Sequence, residues 1–160
     1  MHTITRGPDQ TRGLAQKLSR HLRAGDIIAL FGNLGAGKTV FVRGLAEGLG
    51  VKKGEVLSPT FVLVREYKKG NLPLYHFDFY RLKNLSEIYS LIQEYLSGDG
   101  IIAIEWGQKA KPFLPNDYLA VKLKFIDETT RKIEFQPIGS RYQDIIKRLK
   151  KELANTRCIS

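Results

Sequence analysis

Leu30-Phe-Gly-Asn-Leu-Gly-Ala-Gly-Lys-Thr-Val40 is the stretch that decides how the rest of this chain is read. It fits the pattern G-x-x-x-x-G-K-[ST] through Gly32, Gly37, Lys38 and Thr39. The pattern has meaning only between a strand and a helix, and both are expected here. The apolar run from Ile27 to Phe31 reads as a buried strand, and Phe41, Leu45 and Leu49 recur at helical spacing. Glycines let such a loop turn tightly and aim its backbone N–H groups inward, where they and the helix N-terminus receive phosphate oxygens. The segment Asn33, Leu34, Gly35, Ala36, Gly37, Lys38, Thr39 and Val40 is therefore the candidate nucleotide cradle. Lys38 is expected to reach the β and γ phosphates, and Thr39 to offer its hydroxyl to a magnesium ion. The competing reading, a glycine-rich turn that merely joins strand to helix, leaves the lysine and threonine without a purpose.

Composition narrows the setting. A chain of 160 residues with 42% apolar content suits one domain with a substantial core. No apolar run approaches the roughly 20 residues of a membrane span, and the polar N-terminus lacks the hydrophobic region of a secretory signal, so a cytoplasmic protein is expected. The single cysteine, Cys158, lies in the C-terminal tail, which argues against an internal disulfide or a zinc cluster. Lys and Arg outnumber Asp and Glu by 26 to 16, giving a net charge of +10. That balance favours polyanionic partners such as nucleotides or nucleic acid, although a solvated basic surface would look the same.

Taken in order, the chain begins with a short polar segment, then Gly7-Pro8 opens a helix carrying Leu14, Leu18 and Leu22 and ending near Gly25. After the phosphate loop and its helix, Val51 to Ser58 reads as a loop beside the nucleotide. Ser58-Pro-Thr-Phe61 follows, and Thr60 has the form of a switch threonine that senses a γ phosphate, or of a turn that starts a strand. A hairpin is expected from a strand Phe61 to Tyr67, a turn at Lys68 to Asn71, and a second strand through about Tyr80. Alternation along it puts His76, Asp78 and Tyr80 on a polar face looking outward and Tyr75, Phe77 and Phe79 on a packed one.

Asn84 and Glu87 resemble a capping box before the stripe Leu85, Ile88, Leu91, Ile92 and Tyr95. Ile101-Ile-Ala-Ile-Glu105 is a buried-strand run ending in an acid, so Glu105 is a candidate magnesium ligand or water-polarising group. Trp106, the only tryptophan, stands beside it as core filler or as a wall of the site. Tyr118 to Phe125 and the residues around Ile133 and Phe135 alternate about a turn at Asp127 to Thr130, a second hairpin. Ser140 and Gln143 open a last helix that packs Tyr142, Ile145, Ile146 and Leu149 and leaves Lys147, Arg148, Lys150 and Lys151 in solvent. No arginine is placed as a catalytic finger: Arg43 follows the loop, and Arg65 and Arg81 lie on or beside the first hairpin.

The ordered set Gly32-Asn-Leu-Gly-Ala-Gly-Lys-Thr39, Ser58-Pro-Thr-Phe61, His76-Phe-Asp-Phe-Tyr-Arg-Leu82 and Ile104-Glu-Trp-Gly107 resembles the TsaE family, also called YjeE. The likeness runs from the first helix to at least Trp106; the last third matches only in length and pattern. It implies a small bacterial P-loop ATPase, using ATP and Mg2+, that is needed to make threonylcarbamoyladenosine beside the anticodon of tRNAs. Such a protein works with TsaB and TsaD, TsaD carrying out the transfer, while ATP hydrolysis resets the complex between turnovers; tRNA is met through that complex. By position, the resemblance gives Lys38 the phosphates, Thr39 and Glu105 the magnesium, Thr60 a switch-like role, and Asp78 and Trp106 parts in hydrolysis. Asn33 stands where the family usually has Asp, and Ile92 where a glycine is common.

The expected fold is thus α/β: a single P-loop NTPase-like domain over residues 1–153, with a central mixed, largely parallel sheet flanked by helices and carrying β-hairpins, and a C-terminal tail over residues 154–160. Two other functions share this loop. A stand-alone small-molecule kinase would need an acceptor pocket and usually an arginine-bearing lid, yet Lys109 and Lys111 are the basic residues between Glu105 and the second hairpin. An adenine-dependent interaction switch is the other; guanine specificity is disfavoured because neither N-K-x-D nor D-x-x-G occurs.

Overall fold

Strand order follows from which segments can afford burial on both faces. In the computed structural model, which describes residues 1–157 and side chains through residue 155, seven strands form one sheet in the order β1-β7-β6-β2-β5-β4-β3. The most apolar runs, β2 (Ile27–Phe31) and β5 (Ile101–Glu105), occupy its middle, and β6 (Tyr118–Phe125) and β4 (Leu74–Asp78) flank them, all four parallel. Parallel strands need cover on both faces, and two helical layers supply it. On one face α1 (Gly7–Ser19), α2 (Lys38–Gly48) and α5 (Ser140–Arg157) pack Leu18, Leu45 and Leu149 against Ile28, Leu30 and Val121. On the other, α3 (Leu85–Leu96) and the short α4 (Gly107–Ala110) pack Ile88, Ile92 and Ala110 against Phe77, Ile102 and Ile104. The edges are antiparallel: β3 (Val64–Tyr67) on β4, β7 (Thr130–Ile138) on β6, and β1 (His2–Arg6) on β7. The expected α/β fold with a mixed sheet and hairpins is therefore the one observed, with the parallel strands confined to the central four and three of the six pairings antiparallel.

Several local expectations are corrected. The polar start is a strand: His2 to Arg6 runs antiparallel to β7, with Thr5 bonded to Thr11 at 2.8 Å, so backbone pairing at a sheet edge decides a segment whose composition says little. The first helix stops at Ser19 instead of near Gly25, although Leu22 still reaches the core. β3 starts at Val64, not Phe61, because the Pro59 carbonyl accepts from Val62 N and Leu63 N and turns the chain, with Leu63 at φ 67°. β4 ends at Asp78 rather than Tyr80. Its polar face does not look outward: His76 and Asp78 are buried on the α2 side, and only Tyr80 is exposed. Asn84 caps α3 by accepting from Ser86 N at 2.9 Å. The last helix continues through Arg157, past residue 153, and Cys158 lies outside the described residues.

Candidate active site

Gly32 must be glycine for a steric reason: a Cβ there would fall 2.6 Å from the Leu123 carbonyl oxygen of β6. Gly37, at φ 98°, takes the left-handed conformation that turns the loop into α2. The loop therefore closes tightly over the C-terminal edge of the parallel strands, where α/β sheets hold their ligands. Lys38 is buried and lies back along the loop, its Nζ donating to Gly32 O at 2.7 Å and Asn33 O at 2.9 Å and sitting 4.1 Å from the Trp106 ring centroid. Burial pushes its ammonium below the ordinary lysine value, more than the charges of Glu105 and Asp78 raise it.

Across the loop, parallel pairing sets Asp78 of β4 opposite Glu105 of β5 at the same sheet edge. Thr39 Oγ1 donates to Glu105 at 2.8 Å (Oε1) and 3.0 Å (Oε2), and His76 Nε2 lies 2.8 Å from the same Oε1. Asp78 Oδ2 accepts from Thr60 Oγ1 at 2.6 Å, and its Oδ1 accepts from Tyr80 N at 2.8 Å. The Ser58 and Thr60 hydroxyls are 2.7 Å apart. One carboxylate thus fastens the Ser58 to Phe61 segment to the sheet, while the other meets the phosphate loop. Trp106 takes a left-handed backbone at φ 62°, a conformation that costs a non-glycine residue about 1–3 kcal/mol. It leaves the indole between Lys38 and Tyr80, with the Tyr80 ring centroid 5.1 Å away.

These groups enclose a cavity of about 390 Å³ lined by Gly35, Lys38, Thr39, Thr60, Asp78, Glu105 and Trp106 among others. Of the residues singled out from the sequence, Lys38, Thr39, Thr60, Asp78, Glu105 and Trp106 line it together with Leu34, Gly35, Gly37 and Val40 of the loop, whereas His76 is buried behind Glu105 and does not line it. Asn33 serves through its carbonyl, while Ala36 turns its methyl into the core. Hard oxygen donors, the Thr39 hydroxyl and the Glu105 carboxylate, face the loop, which suits an ion bound through one or two protein oxygens and substrate phosphates. Among the described residues, no cluster of three or more His, Cys, Asp or Glu forms a metal site by itself.

Two residues, Arg131 and Lys109, support the site in ways the sequence did not signal, although Lys109 is noted there for its charge. Lys109, from α4, donates to the carbonyls of Phe79, Tyr80 and Leu82 at 2.9, 2.7 and 2.8 Å, and so holds the turn after Asp78. Arg131, at the start of β7, lines the cavity and donates to Gly35 O at 3.2 Å. Alternation in a hairpin gave no hint of it, since only its register against Phe125 carries it to the loop. Arg43, Arg65 and Arg81 do not line the cavity: Arg43 donates to Val56 O, and Arg65 and Arg81 meet the Ser58 to Phe61 segment from outside it, through Ser58 O and the Phe61 ring.

A phosphate loop between a central parallel strand and its helix, with a strand-end acid against the loop threonine, defines a P-loop NTPase-like α/β protein. The topology and the motifs narrow it further. Residues 5–133 match the family model described as threonylcarbamoyl adenosine biosynthesis protein TsaE, and the chain belongs to the TsaE family. A Bacillus subtilis relative named tRNA threonylcarbamoyladenosine biosynthesis protein TsaE is 39% identical over 145 residues, covering 91% of this chain and 90% of its own. A Nostoc relative of the same name is 41% identical over 143 residues, covering 86% of each. The crystal structure of Bacillus subtilis YdiB superimposes with a TM-score of 0.82 at 34% identity, covering 95% of both chains. No helix among the described residues is long and apolar enough to cross a membrane.

Proposed function

We propose that this protein is an ATP-hydrolysing accessory factor for threonylcarbamoyladenosine modification of tRNA beside the anticodon, acting with TsaB and TsaD to reset their complex between turnovers. Membership of the family, whose relatives are named for this biosynthesis, supports the pathway. The observation that carries the hydrolytic reading is the contact of Thr39 with Glu105 inside the cavity that the phosphate loop borders.

In this reading the loop N–H groups from Asn33 to Val40 hold the phosphates, and Lys38 exchanges the carbonyls of Gly32 and Asn33 for phosphate oxygens. Thr39 and Glu105 would hold Mg2+, which would supply positive charge to offset that of the phosphates. His76 fixes the orientation of Glu105 through Oε1. Asp78 holds Thr60 at the γ-phosphate end, and Trp106 and Tyr80 wall that end from solvent. Thr60 then reports the state of the nucleotide to whatever binds the exposed Phe61 and Val62 beside it. Phosphate release measured for the protein alone, with candidate small-molecule acceptors, and with TsaB, TsaD and tRNA distinguishes this role from that of a small-molecule kinase. Stimulation by the proteins and not by small molecules is the expected result.

A further inference from the structure

The phosphate loop has two flanks, and the acids occupy only one. The sheet order puts β5 and β4 to one side of β2, bringing Glu105 and Asp78 to the cavity, and puts β6 and β7 on the other. Because β6 runs parallel to β2, the turn between β6 and β7 opens at the same sheet edge as the loop, and Arg131 is the residue there that reaches it. Its guanidinium lies over the Phe125 ring at 4.6 Å. Nη1 donates to Asp127 O at 2.7 Å, Thr130 O at 3.0 Å and Glu128 O at 3.4 Å, and Nη2 to Gly35 O at 3.2 Å. A side chain so anchored has little freedom left to lose when a ligand arrives. Arginine stays charged at any physiological pH, and Nη2 carries two hydrogens, of which Gly35 takes one.

A nucleotide whose terminal phosphate sits by Thr39, Glu105 and Asp78 must lead its other end away from them, across the loop toward Gly35 and Val40. That is where Arg131 stands. A second, smaller cavity of about 60 Å³ opens beyond it, lined by Pro8, Gly37, Val40, Glu128 and Thr129 as well as Arg131. We propose that Arg131 is a nucleotide-binding residue that meets the nucleoside-proximal phosphates, fastening the β6–β7 turn to the phosphate loop and adding affinity common to nucleoside di- and triphosphates. It is not the arginine that stabilises transfer of the terminal phosphoryl group, because it is on the flank opposite the acids. The inference rests on the phosphate-site reading above.

The test uses the full chain with Mg2+, titrating ADP and ATP into wild type, Arg131→Met and Arg131→Gln, and separating kcat from KM for ATP. Both variants should bind ADP and ATP about tenfold more weakly, by the same factor, with kcat at saturating ATP little changed. On the wild-type chain, ADP should protect Arg131 from phenylglyoxal, mapped by mass spectrometry, so the proposal stays testable even if a variant folds poorly. A loss of kcat with ADP affinity intact would overturn it in favour of a role at the terminal phosphate. Unchanged affinities and no protection would reduce Arg131 to a tie within the fold. If wild type itself bound neither nucleotide, the phosphate-site reading would fall instead.

Discussion

The Thr39 hydroxyl donates to the Glu105 carboxylate at 2.8 Å, joining the first residue pair of α2 to the last residue of β5. Neither residue is special by type. What makes them a site is that parallel pairing of β2 with β5 ends both strands at one sheet edge, so the loop leaving β2 must fold over the acid that closes β5. His76 on the next strand then holds the same carboxylate from behind at 2.8 Å.

Removing the Lys38 amine should separate binding from folding. Its ammonium is buried and held below its ordinary value by that burial, so Lys38→Ala sheds a group that the fold tolerates at a cost. Circular dichroism should barely change, whereas ATP affinity should fall by about 10- to 100-fold through loss of charge-assisted contacts. Unchanged affinity and turnover would mean that the loop is not a working phosphate site.

Glu105→Gln should instead preserve binding. The amide keeps the shape and can still accept from Thr39, but it has no charge to hold magnesium or polarise water. Turnover should drop by about 100-fold or more while ATP still binds. Wild-type turnover at saturating Mg2+ would remove Glu105 from the mechanism.

Tyr142 makes the fold itself sensitive to alkali. Its hydroxyl accepts from Ile27 N at 2.7 Å at the start of the central strand, and burial pushes its pKa up to about 12. The folded state therefore keeps the proton that the unfolded chain gives up near pH 10. This contribution is complete below pH 10 and is lost as pH rises from there toward about 12. Thermal unfolding between pH 9 and pH 12 should show a steeper loss for wild type than for Tyr142→Phe, which in turn should start less stable by about 1–3 kcal/mol because Ile27 N–H is left unpaired. Parallel pH profiles would contradict this.

The centre of the fold was legible because β2, β5 and the loop carry their own signals: continuous apolar runs, a glycine spacing, and an acid at a strand end. His76 and Asp78 were legible as a set but not as buried, since alternation tells which residues share a face and not whether α2 covers it. β1 was invisible because a half-exposed edge strand needs no apolar pattern, only a partner such as β7. Arg131 and Lys109 were missed for a related reason. Their partners at the site are backbone carbonyls, of Gly35 and of Phe79, Tyr80 and Leu82, and no side-chain pattern in a sequence records a carbonyl brought near by topology.

In the proposed function hydrolysis is completed by partners, because Arg131 stands across the loop from the acids and none of Arg43, Arg65 and Arg81 lines the cavity. Electrostatic stabilisation of the transferring phosphoryl group would then be incomplete in the isolated chain. The direct measurement is steady-state phosphate release from Mg-ATP by this protein alone and with TsaB and TsaD, across a range of salt. Slow turnover alone, a marked rise with both proteins, and a smaller rise at high salt as basic residues cease to steer docking are the expected results. Equal turnover with and without them at every salt concentration would contradict partner-completed hydrolysis and favour a small-molecule kinase.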